Sequence, residues 1–398
     1  MLVSTVGPPL VRSFASCDMA VANSQLFKDY VRQPMCRMIG NKRALIDFIE
    51  TAVISVRNRL GGGKLRAMDL FAGSGVVSRM LAGHAVELHS NDFETYGHLF
   101  AQCYLQRPRD PAEVRALVEA MNQAADTAPV LGIIAQNYSP ADTDNIKLGE
   151  RAFFTRENAM RVDAARARAE LAPEWANPYL LAPLLVQCSI QANTQGIFNA
   201  FCKGKDDIGK WSNEKLARAP IVVPTPVFNP HVDCVDVRCT KEDANKLLHR
   251  LLDAGDDMPA LDLIYVDSPY NQHSYGSNYG VLNILADNRM PANVSVNSGI
   301  PADWQRSQYY KKATIVAAMR DLLDAGTRLA RYVLISFSDE GHLKPDDWVA
   351  LLAPYTTEIF RKEDHRSTLG TRNPAKRGKT TVVELLYLVT RRNGAAPS

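Results

Sequence analysis

The chain has 398 residues, enough for one large α/β domain with an insertion or for two domains. Its formal net charge of +3 is too small to establish nucleic-acid binding, yet leaves room for local basic patches. No apolar stretch approaches membrane-spanning length, and the seven cysteines form no CxxC pair, which argues for reduced thiols in a cytoplasmic protein and against a zinc site or a disulfide framework.

Residues 1–30, with Pro8, Pro9 and Arg12 and no apolar signal core, read as a flexible terminus. From Cys36 the sequence CRMIGNKRALIDFIETAVISVRNRL leads into three glycines. Leu45, Phe48, Ile49, Ala52, Val53, Val56 and Leu60 recur at helical spacing, which predicts an amphipathic helix over Ala44–Leu60 stopped by Gly61. Ahead of it Gly40, Asn41 and Lys42 make a turn with a cation at a helix start, which taken alone is ordinary surface.

Next, LRAMDLFAGSGVVSRML (65–81) predicts a short strand ending at Asp69, a loop holding Gly73, Ser74 and Gly75, and a helix from Val76. Glycines there let the backbone approach a ligand closely. The pair is compatible with several nucleotides, NAD among them, although the dinucleotide fingerprint wants a third Gly or Ala where Ser78 stands. A second strand, Ala85–Ser90, ends at Asn91, Asp92 and Phe93. An acid at that place can accept both hydroxyls of a ribose, or simply close a strand on a polar residue.

Residues 97–224 are mainly helical by periodicity, in AEVRALVEAMNQAA, ENAMRVDAARARAEL and PYLLAPLLVQCSIQAN, and show no fully apolar strand. They read as an inserted domain between the catalytic segments 31–96 and 225–398. Arg151, Arg156, Arg161, Arg166 and Arg168, then Lys203, Lys205, Lys210, Lys215 and Arg218, form two basic clusters interleaved with Phe153, Phe154, Phe198, Phe201 and Trp211. Cations for phosphates beside aromatics suit nucleic acid, although basic helix faces are more often plain solvated surface.

The α/β pattern resumes with HVDCVDVRC as a strand and TKEDANKLLHRLLDAG as a helix. Then comes ALDLIYVDSPY, residues 260–270. Leu261, Leu263, Ile264, Tyr265 and Val266 have the content of a strand buried on both faces, and Pro269 cannot continue it. Asp267 therefore sits at the carboxyl edge of a central strand, where open α/β sheets bind ligands. Its carboxylate and the Ser268 carbonyl are two acceptors, and Tyr270 offers a flat face. The set fits a planar amine: acceptors on both N–H groups of a nucleobase favour positive charge building on nitrogen as it attacks an electrophilic methyl group, with no strong base needed. The plainer alternative is a strand ending in an ordinary Asp-Ser-Pro turn.

Beyond that edge Tyr275, Asn278 and Tyr279 are expected to rim the pocket, and Asp287–Arg306, rich in Pro, Asn, Ser and Gly, to form a long loop able to close over a substrate. A helix over Tyr309–Ala325, a strand over Tyr332–Phe337, a helix around Trp348 and strands over Thr356–Phe360 and Thr381–Val389 complete the sheet. RKEDHRSTLGTRNPAKRGK between the last two suits phosphate contact, or a soluble hairpin loop.

DSPY resembles the (Asp/Asn/Ser)-Pro-Pro-(Tyr/Phe/Trp) signature of amino-group methyltransferases, and NQHSYGSNYGVLNIL after it is similar to the segment that follows in alpha-group, Dam-like DNA adenine methyltransferases. Serine at 268 departs from the usual proline; it keeps the carbonyl and loses the fixed φ. RMIGNKRAL resembles the family's amino-terminal cofactor motif, with Met38 where an aromatic is usual and Lys42 four positions on. DLFAGSG, with Asp69, Phe71, Gly73 and Gly75, resembles the first glycine-loop motif, NDFE the second motif with Asp92, and Glu242-Asp243-Ala244 the acid-Ala step near the cofactor adenine. FFTRENAMRVDAARA and ANTQGIFNAFCKGK are similar to the insertion that carries target recognition.

The resemblance covers most of residues 36–390 and implies a Rossmann-like, doubly wound seven-stranded sheet with a helical DNA-recognition insertion. It implies S-adenosylmethionine as cofactor, held by Met38, Lys42, Asp69, Phe71, Gly73, Gly75, Asp92 and Asp243, and Asp267, Ser268, Pro269 and Tyr270 as the catalytic set. No metal is expected. The substrate would be double-stranded DNA, with the adenine flipped out for transfer to its 6-amino group and a cognate restriction endonuclease as a further partner. The rival readings are cytosine 4-amino transfer, a non-catalytic DNA-binding module with a decayed pocket, and a protein-glutamine methyltransferase, for which the basic insertion would have no use.

Overall fold

A computed structural model describes residues 24–33, 35–36, 38–255, 260–269, 274–296, 298–338, 341–365 and 381–392. The predicted helical face at the amino end forms as a 3-10 turn over Lys42–Leu45 followed by α2 (Ile46–Arg59), with Ile49, Ala52, Val53 and Val56 buried. A helix also precedes it, within the stretch read as a flexible terminus. In α1 (Gln25–Arg32), Ser24 Oγ accepts from Phe27 N at 3.2 Å, and Phe27, Tyr30 and Val31 are buried. Eight residues carry only two helical turns, too little periodicity to stand out in sequence.

The sheet has the order β3-β2-β1-β4-β5-β7-β6. β1 (Leu65–Asp69) leads through α3 (Val76–His84) to β2 (Ala85–Asp92), and α4 (Thr95–Leu105) then covers β2 and β3. Gly83 of α3 admits the Phe27 ring, since a Cβ there would lie 2.5 Å from it. β3 (Asp236–Lys241) follows the insertion, at the sheet edge. It begins five residues later than predicted, because Val232–Cys234 forms a 3-10 turn after His231 N donates to Asn229 Oδ1 at 2.9 Å. The chain next runs through α10 (Ala244–Asp253) to β4 (Leu261–Val266) on the other side of β1. That reversal opens a crevice between the carboxyl ends of β1 and β4. Asp69 is in register with Tyr265, which brings two acids 198 positions apart in sequence, Asp69 and Asp267, to one edge.

After β4 come two short helices, α11 (Tyr275–Asn278) and α12 (Gly280–Asp287). A long loop follows, as predicted, and then α13 (Lys312–Leu329), shifted from Tyr309–Ala325 because Ser307 Oγ caps a separate turn over Gln308–Tyr310. β5 (Ala330–Ser338), α14 (Pro345–Leu352), β6 (Tyr355–His365) and β7 (Thr381–Arg391) end the fold, with β7 antiparallel to both β5 and β6. The segment joining β6 to β7 lies largely outside the described residues.

The inserted region is helical: α5 (Pro111–Thr127), α6 (Ile133–Tyr138), α7 (Arg156–Glu170), α8 (Asn177–Gln191) and the short α9 (Glu214–Arg218). It shares one core with α4 and α12, in which Tyr96 and Phe100 meet Leu184, Leu282 and Leu285. Asp163 on α7 accepts from the backbone N–H groups of Gly132, Ile134 and Ala135, holding the start of α6.

Two expectations for this region are corrected. Phe153, Phe154, Phe198 and Phe201 are buried core, because each ring finds apolar neighbours within the insertion rather than a place on its surface. Several arginines of the first cluster serve internal acceptors: Arg166 donates to Leu285 O and Ala286 O, Arg161 to Ile221 O and Asp126, and Arg156 to Ala135 O. Lys205, Lys210 and Lys215 of the second cluster are exposed. Cys36, Cys103, Cys188, Cys202 and Cys239 are free thiols, whereas Cys234, in its half-buried turn, is disulfide-bonded, so thiols reduced throughout do not hold. Among the described residues no helix is long and apolar enough to cross a membrane.

Candidate active site

Backbone hydrogen bonds carry the glycine loop from β1 across to β2. Leu70 N donates to Tyr265 O at 3.0 Å, Ala72 N to Asn91 O at 2.8 Å, and Gly75 N back to Ala72 O at 2.8 Å. Gly73 and Gly75 sit at φ +53° and +80°, backbone that side chains rarely adopt, and no atom lies within 4 Å of where a Gly73 Cβ would be. The loop thus bends over an open space, a cavity of about 830 Å³ including its mouth. Met38, Lys42, Asp69, Phe71, Gly73, Asp92, Asp243, Asp267 and Pro269 all line it. Gly75 does not; it is the left-handed residue that starts α3. Ser268 is buried and does not line the cavity either. Tyr270 lies outside the described residues.

Asp92 ends β2 with its carboxylate oriented by the chain itself: Oδ2 accepts from Gly73 N at 2.6 Å and Oδ1 from Glu94 N at 2.8 Å. Gly97 makes room for it, since a Cβ there would come within 2.4 Å of the Asp92 side chain. Burial raises the Asp92 carboxyl to about 6, opposed by those backbone N–H groups. Asp69, at the end of β1, accepts from Ser78 Oγ at 2.6 Å, and Ser78 also meets Ser90 Oγ at 2.9 Å. Burial raises Asp69 to about 7, with the charges of Asp267 and Asp92 adding to it and Ser78 opposing.

Lys42 comes from the turn ahead of α2. Its Nζ lies 2.7 Å from Asp267 Oδ1 and donates to Gly40 O at 3.1 Å, and the lysine side chain is only 3% exposed. Burial raises the Asp267 carboxyl and Lys42 opposes that rise. Asn41 fixes the turn by accepting from Arg43 N at 2.8 Å.

Several lining residues escaped the sequence reading. Tyr309 packs edge-on to Phe71 with ring centroids 5.3 Å apart, and its hydroxyl donates to Asn245 Oδ1 at 2.6 Å. Tyr310, Ser307 and Glu94 also line the cavity, and Asn283 Nδ2 on α12 donates to Glu94 Oε2 at 2.6 Å. Burial raises the Glu94 carboxyl to about 7, opposed by Asn283. Only Glu94 carried a signal, as an acid two positions beyond Asp92. Tyr275 lines the cavity as expected. Asn278 and Tyr279 do not rim it: both are buried, and Tyr279 stacks on Tyr275 while accepting from Ile39 N at 2.7 Å. Tyr275 in turn donates to Ile39 O at 2.8 Å, so one pair of rings clamps the Met38–Ile39 backbone to α11. Asp243 is first a helix cap, accepting from Asn245 N and Lys246 N at 3.1 and 3.2 Å.

The donor set suits an adenosyl sulfonium. The apolar wall that Phe71 and Tyr309 form together can flank a flat base, Asp92 can accept hydroxyls with its remaining lone pairs, and a cavity with several carboxylates favours a cation. Ser78, where a dinucleotide fingerprint has its third glycine, is fully buried and bonded to Asp69.

A family profile described as D12 class N6 adenine-specific DNA methyltransferase matches residues 38–338. The chain is 28% identical to Type II methyltransferase M.NlaIII of Neisseria lactamica over 315 residues, 76% of this chain and 83% of that one. It is 28% identical to Type II methyltransferase M.CviAII of Paramecium bursaria Chlorella virus 1 over 323 residues, 80% of this chain and 87% of that one. Against Type II methyltransferase M.FokI of Planomicrobium okeanokoites the identity is 24%, over 82% of this chain and 48% of that longer protein.

Proposed function

Since the chain belongs to the D12 class N6 adenine-specific DNA methyltransferase family, we propose that it methylates the 6-amino group of adenine within a specific site in double-stranded DNA, as an alpha-group member of that family. The observation that carries this reading is the meeting of Lys42, Asp267 and Asp92 in one cavity at the switch point of the sheet. S-adenosylmethionine, when bound, supplies the electrophilic methyl group.

Each remaining role belongs to the chain. Asp92 accepts the ribose hydroxyls and Phe71 and Tyr309 flank the cofactor base. Gly73 lets the loop close over it, with Met38, Asp69 and Asp243 completing the walls. The target adenine is stacked in the duplex and must leave it to reach β4. Asp267 then accepts one N–H of the exocyclic amine and the Ser268 carbonyl the other, while Pro269 holds the turn and Tyr270 provides the stacking face. Two acceptors stabilise the charge that develops on nitrogen as the N–methyl bond forms and the sulfonium–methyl bond breaks, and the surplus N–H proton then passes by way of the Asp267 carboxylate to solvent. Lys42 opposes the effect of burial on Asp267 and so favours its ionised form for this task. The inserted helices, 97–224, recognise the target with the exposed Lys205, Lys210 and Lys215 near phosphates. A cytoplasmic setting and a cognate restriction endonuclease as a further partner complete the proposal.

The test is Asp267→Ala with tritiated cofactor and genomic DNA. Methyl transfer is expected to vanish while cofactor affinity by calorimetry is retained; persistent turnover would remove the assignment. Identifying the modified nucleoside in DNA from expressing cells separates adenine from cytosine as target.

A further inference from the structure

The long loop after α12 is not irregular throughout. Val294 and Pro301 form an antiparallel bridge, Ser295 N donates to Ile300 O at 2.8 Å and Ala302 N to Asn293 O at 2.9 Å, so its middle is a narrow hairpin. The inserted helices hold this hairpin from the side. Arg151 Nη2 donates to Ser295 O and Val296 O, both at 3.0 Å, and Tyr138 donates to Gly299 O at 2.7 Å. Gly299 stands at φ +70°, and a Cβ there would meet the Tyr138 ring at 2.6 Å, so the position favours glycine on both counts. At its base Pro301 lies against Gly280, where a Cβ would come within 2.8 Å of the proline ring. The strand then descends to Ser307, Tyr309 and Tyr310 in the cavity wall.

At the tip of this fixed hairpin Val296 is 84% exposed, the highest value of any large apolar side chain among the described residues. A lone exposed valine is common on protein surfaces. This one differs in its support: its own carbonyl is bound by an arginine that the sequence placed among phosphate contacts, and a loop free to move would not need that anchor. Four residues separate it from Pro301, so it stands within about 17 Å of that proline, which rests on Gly280 at the start of α12. It lies where the insertion, through Arg151 and Tyr138, meets the segment that leads on to the cavity wall.

We propose that Val296 is a wedge that enters the DNA duplex beside the target base and occupies the stack that the base leaves. Proteins that unstack duplex DNA use apolar side chains in this way, since an aliphatic group can replace base contacts without needing hydrogen-bond partners. The inference rests on the DNA methyltransferase reading above, and it makes Val296 a positioning residue, acting on the helix rather than on the methyl group.

The test uses the full chain and a duplex carrying the site identified by sequencing DNA that the wild-type protein has methylated. In one duplex 2-aminopurine replaces the target adenine opposite thymine; in a second it faces an abasic position, where leaving the stack is already easy. Val296→Ser is expected to reduce the fluorescence rise on binding, and the methylation rate of the matching adenine duplex, by about tenfold on the paired substrate. On the abasic duplex the loss shrinks to less than about twofold, since the unstacking is already done. Val296→Leu, which keeps an apolar tip, retains the paired-substrate signal. A Val296→Ser protein equal to wild type on the paired duplex, or one impaired alike on both duplexes, overturns the wedge while the methyltransferase reading stands. A wild-type chain that methylates no DNA sinks both.

Discussion

The ammonium of Lys42 lies 2.7 Å from Asp267 Oδ1, and so joins the turn ahead of α2 to the end of β4 across 225 positions of sequence. The lysine is almost wholly buried and the aspartate 18% exposed, so the pair is shielded from the screening that weakens surface ion pairs. The proposed cofactor turn and the proposed catalytic edge are thus joined by one ion pair.

Lys42→Met tests that link. Burial already raises the Asp267 carboxyl, and Lys42 is the influence that lowers it, so its removal raises the carboxyl further. A protonated Asp267 is a poorer acceptor. The acid limb of the kcat profile is expected to move to higher pH, so that the loss is greatest on the acid side and shrinks as the pH is raised. A profile that falls evenly at all pH values would mean that Lys42 serves the cofactor and not the acid.

Asp92 carries the ribose assignment. Asp92→Ala is expected to weaken cofactor binding by about 1.5–3 kcal/mol, the range for hydrogen bonds to a charged group. In the wild-type chain the ionised carboxylate is the better acceptor and its pKa is raised to about 6, so affinity should fall as the pH drops through that value. Isothermal titration at several pH values checks both, and an unchanged affinity in the variant would remove the role.

Burial of Asp69 sets a stability slope. Its folded pKa, about 7, stands above the unfolded value of 3.8, so the folded state holds the extra proton between those values. The stability it contributes is fully present below pH 3.8 and is lost as the pH rises through 7. Asp69→Asn removes the charge and keeps an acceptor for Ser78. We expect its Tm at pH 7.5 to rise by about 2 °C or more, with little change near pH 4. A lower Tm at pH 7.5 would show that the ionised group is stabilised by contacts beyond Ser78.

Arg166 and Lys210 separate structural from phosphate-binding cations. Arg166 is buried and caps the carbonyls of Leu285 and Ala286 at the end of α12. Arg166→Met should cost about 2–3 kcal/mol, the scale of charge-assisted hydrogen bonds, and appear as a lowered Tm. The salt dependence of DNA binding should stay as it was. Lys210→Ala should leave Tm in place and reduce the slope of log K against log salt by about 0.9. The reverse pattern would place the insertion's DNA face on α7.

Part of this architecture is legible in the sequence. β4 announced itself because a strand buried on both faces is apolar along nearly all its length, Asp262 apart, and Pro269 cannot continue it. The glycine loop did so because glycine takes the positive φ values at 73 and 75 far more readily than other residues. The helices α5, α7 and α8 showed their 3.6 period over four or more turns. The misreadings share a cause too: α1 and α11 are short, and β3 is an edge strand of alternating exposure, so none had the length or contrast that makes a pattern legible.

Aromatic and basic residues mark the boundary of what one dimension can tell. Phe153 and Phe198 look the same in sequence whether they stack on a base or on each other, and Arg151 the same whether it meets a phosphate or the carbonyl of Val296. By itself the sequence determined the strands, the glycine turn and the acids at their ends, because those follow from local backbone sterics and short-range periodicity. Which acid meets which cation, which arginines are turned inward, and how Tyr309 comes to face Phe71 were decided only by tertiary structure, because contacts across hundreds of positions depend on the crossing order of the sheet and leave no trace in neighbouring residues.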